Sequence, residues 1–433
     1  MNYEKQRDRI AEFIKSGEKS IGDFKIGVEL EHIVAKKHDL SSVNYYEEEG
    51  IESILKELAS RNEKYEGKYE DKYMVGLTTP DGDITLEPGG QLEYSIRPCD
   101  NLKEIEDLYR SFLDDIIPIL DERGQYLMGI GYHPRTSIKD IPFNPKVRYQ
   151  HMSEHLQATG IYAHNMMKGT ASLQVVLDYG SEEDFIKKIT VGNFLSPLLY
   201  LISDNAPIFE GEVYEGHSIR GKIWDNMDAV RCGIVPGVLE KEFGYRDYAE
   251  YMLDIPPILI MQDGVAIGTQ DKKVKDLLNP DTVTDEEVDH ILSMVFPDVR
   301  IRTYIELRMG DSLPYPLNMS YIALIKGIFY NDVALNYLYD MSKTFSDENL
   351  DTAKASIMEK GFQGLFKCKT VKDMALILFD LAKKGLEQEE KPYLKPLEDL
   401  ILKGQNPAML SKEYIEKEGI MALTWCALNK YGR

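Results

Sequence analysis

Hydrophobic and polar residues alternate with a period of two in several stretches of this 433-residue chain, the pattern expected of strands with one buried and one polar face. In FKIGVELEHIVA, Phe24, Ile26, Val28 and Leu30 alternate with Lys25, Gly27, Glu29 and Glu31. Glu29 and Glu31 therefore leave the same side of one strand about 7 Å apart. The stretch LTTPDGDITLEPGGQLEYSIRP, Leu77 to Pro98, reads as a hairpin turning at Pro88-Gly89-Gly90, with Glu87 before the turn and Glu93 after it. Gln91, Glu93 and Ser95 share one face of its second strand, while Leu92, Tyr94 and Ile96 share the other. QYLMGIGYHP is a strand whose Gly129 and Gly131 permit close approach of other groups. TASLQVVLDYG is another, with Leu173, Val175 and Leu177 opposite Gln174 and Asp178. VRIRTYIELRMGD is the last, carrying Arg300, Arg302, Tyr304, Glu306 and Arg308 on its polar face.

The remaining periodicity is helical. Residues 3 to 15, Ile51 to Ala59, Asn101 to Arg123 and the run PKVRYQHMSEHLQATG all read as helices, and so does Ser181 to Ser203, where Pro197 is expected to kink or restart the helix. Asn205 to Asp254 lacks a period, so a long functional loop is expected. Past Met319 the pattern is helical throughout: Ser320 to Lys343, Asp347 to Lys360, Val371 to Glu387 and Ser411 to Asn429. This order implies an α+β fold, an antiparallel sheet with a polar concave face and a helix-covered opposite face. A single catalytic domain is expected over residues 1–433, with a sheet-containing core at 20–317 and a helical portion at 318–433.

Composition narrows the function. The formal net charge is −22, from 51 Lys+Arg against 73 Asp+Glu, which argues against nucleic-acid partners and acidic lipid surfaces. No run of about 18 apolar residues suggests a membrane span. Cys99, Cys232, Cys368 and Cys426 are widely spaced, and the N-terminus is charged, so buried free thiols and a cytoplasmic location are expected.

The candidate chemistry lies on the polar strand faces. Glu29, Glu31, Glu87, Glu93 and Glu306 supply the oxygen ligands that Mg²⁺ prefers; any one of them alone fits a solvated strand face, but glutamate is depleted in strands, and five together beside arginines favour a site. In the long loop, Arg220, Trp224, Asp228 and Arg231 combine guanidinium forks with an aromatic plate, suited to carboxylates or phosphates. Other motifs fail on mechanism. GHSIRGK, from Gly216 to Lys222, is followed by Ile223 instead of the hydroxyl residue a phosphate-binding loop needs. HMSEH, with His151 and His155, is not the zinc-protease motif, and no G-x-S-x-G nucleophile elbow is present.

Taken in order, LEPGGQLEYS, GIGYHP, ASLQVVLDY, SIRGKIWDNMDAVRCGIVP and VRIRTYIELRMGD resemble the glutamate–cysteine ligases of the plant and proteobacterial type, from about Ile26 to Gly310. The resemblance implies a glutamine synthetase-like curved sheet that holds ATP and Mg²⁺ on its concave face. It implies activation of the glutamate γ-carboxylate as an acyl phosphate, followed by attack of the cysteine amine. Glu29, Glu31, Glu87, Glu93 and Glu306 would be metal ligands. Glu93 and Arg308 would be catalytic, Arg220, Arg302 and Arg308 would contact ATP, and Arg220, Trp224 and Arg231 would contact the amino-acid substrates. Gln174 stands where related ligases can have a histidine ligand. The regulatory cysteines of plant members have no counterpart among the four here, and a monomer or homodimer is expected.

A same-fold ligase with another amine acceptor is the nearest alternative. A glycosidase with paired carboxylates leaves the Arg-rich last strand unexplained. A non-catalytic cation-binding protein would bind metal without nucleotide.

Overall fold

The alternation in Ile26–Lys36 becomes β1, the strand around which a nine-stranded sheet is assembled. The structure, a computed structural model, describes residues 2–262, 265–269 and 271–431. The other strands are β2 (Glu66–Glu70), β3 (Tyr73–Thr79), β4 (Gly82–Leu86), β5 (Leu92–Cys99), β6 (Gln125–Met128), β7 (Ser172–Leu177), β8 (Val299–Ile301) and β9 (Ile305–Asp311). Their order is β8-β9-β7-β1-β5-β4-β3-β2, with β6 also paired to β1, and every pairing is antiparallel.

Helices pack around the sheet. The first eight are α1 (Tyr3–Lys15), α2 (Ile51–Arg61), α3 (Leu102–Glu122), α4 (Val147–Thr159), α5 (Ala163–Gly169), α6 (Glu182–Ile202), α7 (Ile219–Asp225) and α8 (Tyr245–Leu253). Then come α9 (Val274–Leu277), α10 (Asp285–Leu292), α11 (Leu317–Phe329), α12 (Asp332–Ser342), α13 (Asp347–Lys360) and α14 (Val371–Gly385), and last α15 (Lys395–Leu402) and α16 (Pro407–Glu418). Contacts of α3 with β5, α6 with β9 and α11 with β7 seat the sheet on its helical layer. Val28, Leu30, Leu173, Val175, Ile305 and Leu307 point into that layer and are buried. One apolar cluster runs from Ile10 through these residues to Leu428.

Several expectations are corrected. The last strand is a hairpin, β8 and β9, which turns at Arg302–Tyr304 through a bond from the Arg302 N–H to the Tyr304 carbonyl. Folding back sets Arg300 opposite Glu306, so opposite charges that look like neighbours on one strand are a cross-strand pair. Pro197 does not divide α6. That helix is long and apolar enough to cross a membrane, but 89% of its most apolar window is buried inside the fold. The stretch from Asn205 to Asp254 contains α7 and α8. The expected helix from Ser320 to Lys343 is two helices: Tyr330 leaves the axis to bond the Lys25 carbonyl, and the Asn331 side chain caps α12 by accepting the Ala334 N–H. All four cysteines are free, but Cys368 is exposed and Cys232 half-buried.

Candidate active site

Sheet register gathers the acidic residues into rungs. Residues directly opposite in an antiparallel pair share a face. Glu31 lies opposite Glu93, and Glu93 opposite Thr85. In the next rung Glu29 is flanked by Ser95 and Gln174. One rung further, Glu306 lies opposite Arg300 and Val176. Of these, Glu29, Glu31, Glu93, Gln174 and Arg300 line one wall of a cavity of ≈ 380 Å³, while Glu306, expected among the metal ligands, is buried behind it and does not line it.

Glu31, Glu87 and Glu93 converge most closely, with one carboxylate oxygen of each within 4.8 Å of the others. Glu87 comes from the turn between β4 and β5, which closes through bonds from the Glu87 N–H to the Gln91 carbonyl and from the Gly90 N–H to the Glu87 carbonyl. Glu93 accepts from the Thr85 and Ser95 hydroxyls at 3.0 and 2.7 Å. Glu31 accepts from the Ser172 N–H and hydroxyl at 2.7 and 2.6 Å. Burial, with Glu31 and Glu93 as negative neighbours, pushes the Glu87 carboxyl up to about 8. Burial also raises Glu31. Burial, Glu93 and Glu306 raise Glu29 well above the carboxylate range. Like charges facing each other across strands are destabilising, and a hard cation among them would relieve that repulsion. The donor set therefore fits Mg²⁺.

Glu306 stands apart from this convergence. Arg300 holds it through two bonds of 2.7 and 2.9 Å, and Arg308 through one of 2.7 Å. Although burial opposes ionisation, these arginines hold its carboxyl down to about 2. Arg308 also donates to the Gln174 amide oxygen at 2.6 Å. The Gln174 amide nitrogen reaches Glu31 at 3.4 Å, so one side chain bridges the carboxylate wall to the arginine. Trp224 lies under two guanidinium groups, Arg220 at 5.6 Å and Arg308 at 5.4 Å from its ring.

Two expected residues are placed less directly. Arg302 lines the cavity, but its guanidinium is held by Asp289 and the Tyr304 hydroxyl. Arg231 does not line the cavity; it is buried on Asp228 and the Pro256 carbonyl. Other lining residues were not singled out from sequence: Arg148, Tyr149, Met152, Met166, Met167, Met294 and Phe296. Most belong to α4, α5 and the loop before β8, where helical and irregular patterns carry no sign of facing a cavity. Arg300 was visible on the polar face, and its opposition to Glu306 required the hairpin.

An antiparallel sheet with acids and arginines gathered on one face fits the fold of the carboxylate–amine ligases. A profile of glutamate–cysteine ligase family 2 matches residues 25–424. The chain belongs to this family. It resembles the chloroplastic glutamate–cysteine ligase of Nicotiana tabacum, 29% identical over 93% of this chain and 78% of the tobacco protein. The chloroplastic enzyme of Arabidopsis thaliana is 28% identical over the same shares. Glutamate–cysteine ligase from Francisella tularensis, solved in complex with AMP, aligns with a TM-score of 0.59 and 14% identity over 96% of this chain and 90% of that chain. At that identity the likeness shows the fold. The chloroplastic relatives overturn the expectation of a cytoplasmic location; cysteine spacing and a charged N-terminus do not determine a compartment.

Proposed function

We propose that this cavity forms γ-glutamylcysteine from glutamate and cysteine at the expense of ATP, the first step of glutathione synthesis. Glutamate is activated at its γ-carboxylate as an acyl phosphate, and the cysteine amine displaces the phosphate. The observation that carries this reading is the convergence of Glu31, Glu87 and Glu93 on a wall faced by arginines, in a chain of this family.

Glu31, Glu87 and Glu93, with Glu29 beside them, would hold Mg²⁺. When bound, the ion supplies charge neutralisation for the transferring phosphoryl group. The protein's own groups do the positioning. Ser172 and Gln174 fix the Glu31 carboxylate, and Thr85 and Ser95 fix Glu93. Arg308, braced by Glu306 and Gln174 and stacked on Trp224, offers fixed positive charge where negative charge develops. Arg220, held on the Arg308 carbonyl, extends that charge along the wall. Glu306 anchors Arg308 together with Arg300.

Phosphate release from ATP and Mg²⁺ is the test, run with glutamate alone, with glutamate plus cysteine, and with glutamate plus a panel of other amines. Release that requires both glutamate and cysteine is expected. No cysteine-dependent release, or faster release with a non-thiol amine, would refute the acceptor assignment.

A further inference from the structure

The helix α4 lies over the cavity and is tied at both ends. Near its start, the Tyr149 hydroxyl donates to the Leu86 carbonyl at 2.7 Å, and the Asn144 side chain, just ahead of the helix, donates to the Glu87 carbonyl at 2.8 Å. Past its middle, the Thr159 hydroxyl donates to the Met227 carbonyl at 3.0 Å, and the Tyr162 N–H to the Asn226 carbonyl at 3.4 Å. The first ties hold the turn that carries Glu87. The second hold the loop that follows α7, the helix that carries Arg220 and Trp224. Tyr149 and Met152, between these ties, line the cavity.

One contact along this span is incomplete. His155, one turn beyond Met152, places its Nε2 3.7 Å from Asp228 Oδ2, which is longer than a hydrogen bond. That nitrogen is buried and has no hydrogen-bond partner among the described residues, an arrangement that costs stability until a partner is reached. Asp228 is itself buried and holds Arg231. Burial opposes its ionisation, but His155 and Arg231 keep its carboxyl below the usual carboxylate range, so it stays an acceptor. Two further buried donors of α7 and its loop, Trp224 Nε1 and Arg231 Nε, also lack a partner among the described residues. The seam between α4 and this loop therefore holds unmade bonds, whereas the ties at the helix ends are made. Less than about 1 Å of movement brings His155 onto Asp228.

We propose that His155 is a positioning residue whose imidazole closes onto Asp228 when substrate fills the cavity, seating α4 as a lid over the reacting atoms. The choice of ligands rests on the ligase reading, which the lid deepens. An acyl phosphate is open to water: attack of water on its carbonyl carbon breaks the C–O bond to phosphate and returns glutamate, so ATP is hydrolysed with no amide formed. A closed α4 excludes that water. The His155 Nε2–H donates and the Asp228 carboxylate accepts, and the helix is drawn onto the loop that carries both Asp228 and Arg231.

The full chain, as wild type, His155→Leu and His155→Gln, is assayed with ATP, Mg²⁺, glutamate and cysteine for phosphate released per γ-glutamylcysteine formed. Deuterium exchange of the α4 amides is followed with and without MgATP and glutamate. Wild type is expected to release one phosphate per product and to slow exchange in α4 when the ligands bind. His155→Leu is expected to raise the ratio at least about twofold and to lose the slowing. His155→Gln, whose amide N–H reaches where Nε2 does, is expected to recover most of both. Should His155→Leu not fold, His155→Asn, whose amide is too short to reach Asp228, takes its place with the same expectations. A leucine variant with the wild-type ratio, or with the wild-type slowing, overturns the proposal. So does a wild type whose α4 exchange ignores the ligands, and so does faster exchange throughout the ligand-free His155→Leu chain, which would mark a structural residue. Cysteine-dependent phosphate release by the wild type tests the ligase reading separately: its absence, with α4 still slowed by MgATP only where His155 is present, refutes that reading and leaves the lid standing.

Discussion

Glu93 carries the sharpest conflict of forces at the residue scale. It faces Glu31 across two strands and converges with Glu87, so without a cation it costs stability and with one it contributes to function. Glu93→Gln is therefore expected to raise the melting temperature of the metal-free protein, by the equivalent of about 0.5–1 kcal/mol, and to cut kcat by about 100-fold or more. Calorimetric melting in chelator and phosphate release in Mg²⁺ read the two effects; a variant that matched wild type in both would remove Glu93 from the cation wall. A second buried acid, Asp311, lies behind that wall. Its Oδ2 accepts the Asn205 N–H at 2.9 Å while its Oδ1 has no partner, and burial, followed by Asp204, pushes its carboxyl up to about 8. The folded chain keeps a proton there that the unfolded chain releases near pH 4. The stability it contributes is complete below about pH 4 and is lost as pH rises through about 8. Urea unfolding at pH 5 and pH 8 should show a larger loss for wild type than for Asp311→Asn, by at least about 1 kcal/mol; equal losses would place the pH dependence elsewhere.

Elements were legible in the sequence where one strong local rule governed them. Glu87-Pro88-Gly89-Gly90 turns where its residue types require, and the alternation through Gln91 to Ile96 sorts the two faces as the structure does. Gly131 is legible in part: a Cβ there would lie 2.3 Å from the Asp311 carboxyl carbon, the close approach expected of it, but the strand expected through Pro134 ends at Met128 and leaves Gly129 and Gly131 outside it. What sequence did not show depended on partners distant in the chain. The division of Val299 to Asp311 into a hairpin rests on pairing Arg300 with Glu306, and the break between α11 and α12 rests on Tyr330 reaching Lys25. The cavity's outer wall was illegible for a related reason, since α4 and α5 bring Arg148, Met152, Met166 and Met167 over it through bonds to segments distant in the chain, the Leu86 carbonyl and the Met227 carbonyl among them. The β4–β5 turn predicts its own sensitivity. A Cβ at Gly89 would lie 2.7 Å from the Lys168 carbonyl oxygen, so Gly89→Ala must shift the turn away from α5. The expected outcome is a loss of about 1–3 kcal/mol in urea unfolding and a higher Mg²⁺ requirement for phosphate release, because Glu87 moves with the turn. An unchanged Mg²⁺ requirement would detach Glu87 from the cation.

Across the whole molecule, net charge does not describe the site, where four glutamates and five arginines meet. The chain is strongly acidic, yet its cavity carries five arginines, so a net charge that argues against nucleic acid does not bear on a nucleotide. The helical C-terminal part shares the apolar cluster of the sheet, and we propose that the chain folds as one domain. Within that body, β1 is enclosed by β5 on one side and β7 on the other, with its apolar residues buried and Glu29 and Glu31 on its cavity face. A strand so enclosed opens only when most of the fold opens. Its backbone amides should therefore be among the slowest in the chain to exchange with deuterium, while those of α4, packed on the cavity from outside, exchange earlier. Mass spectrometry of timed labelling would show this order, and early exchange in β1 would contradict it. The floor of the catalytic cavity would then be its most permanent part, and substrate entry would draw on fluctuations of the wall opposite.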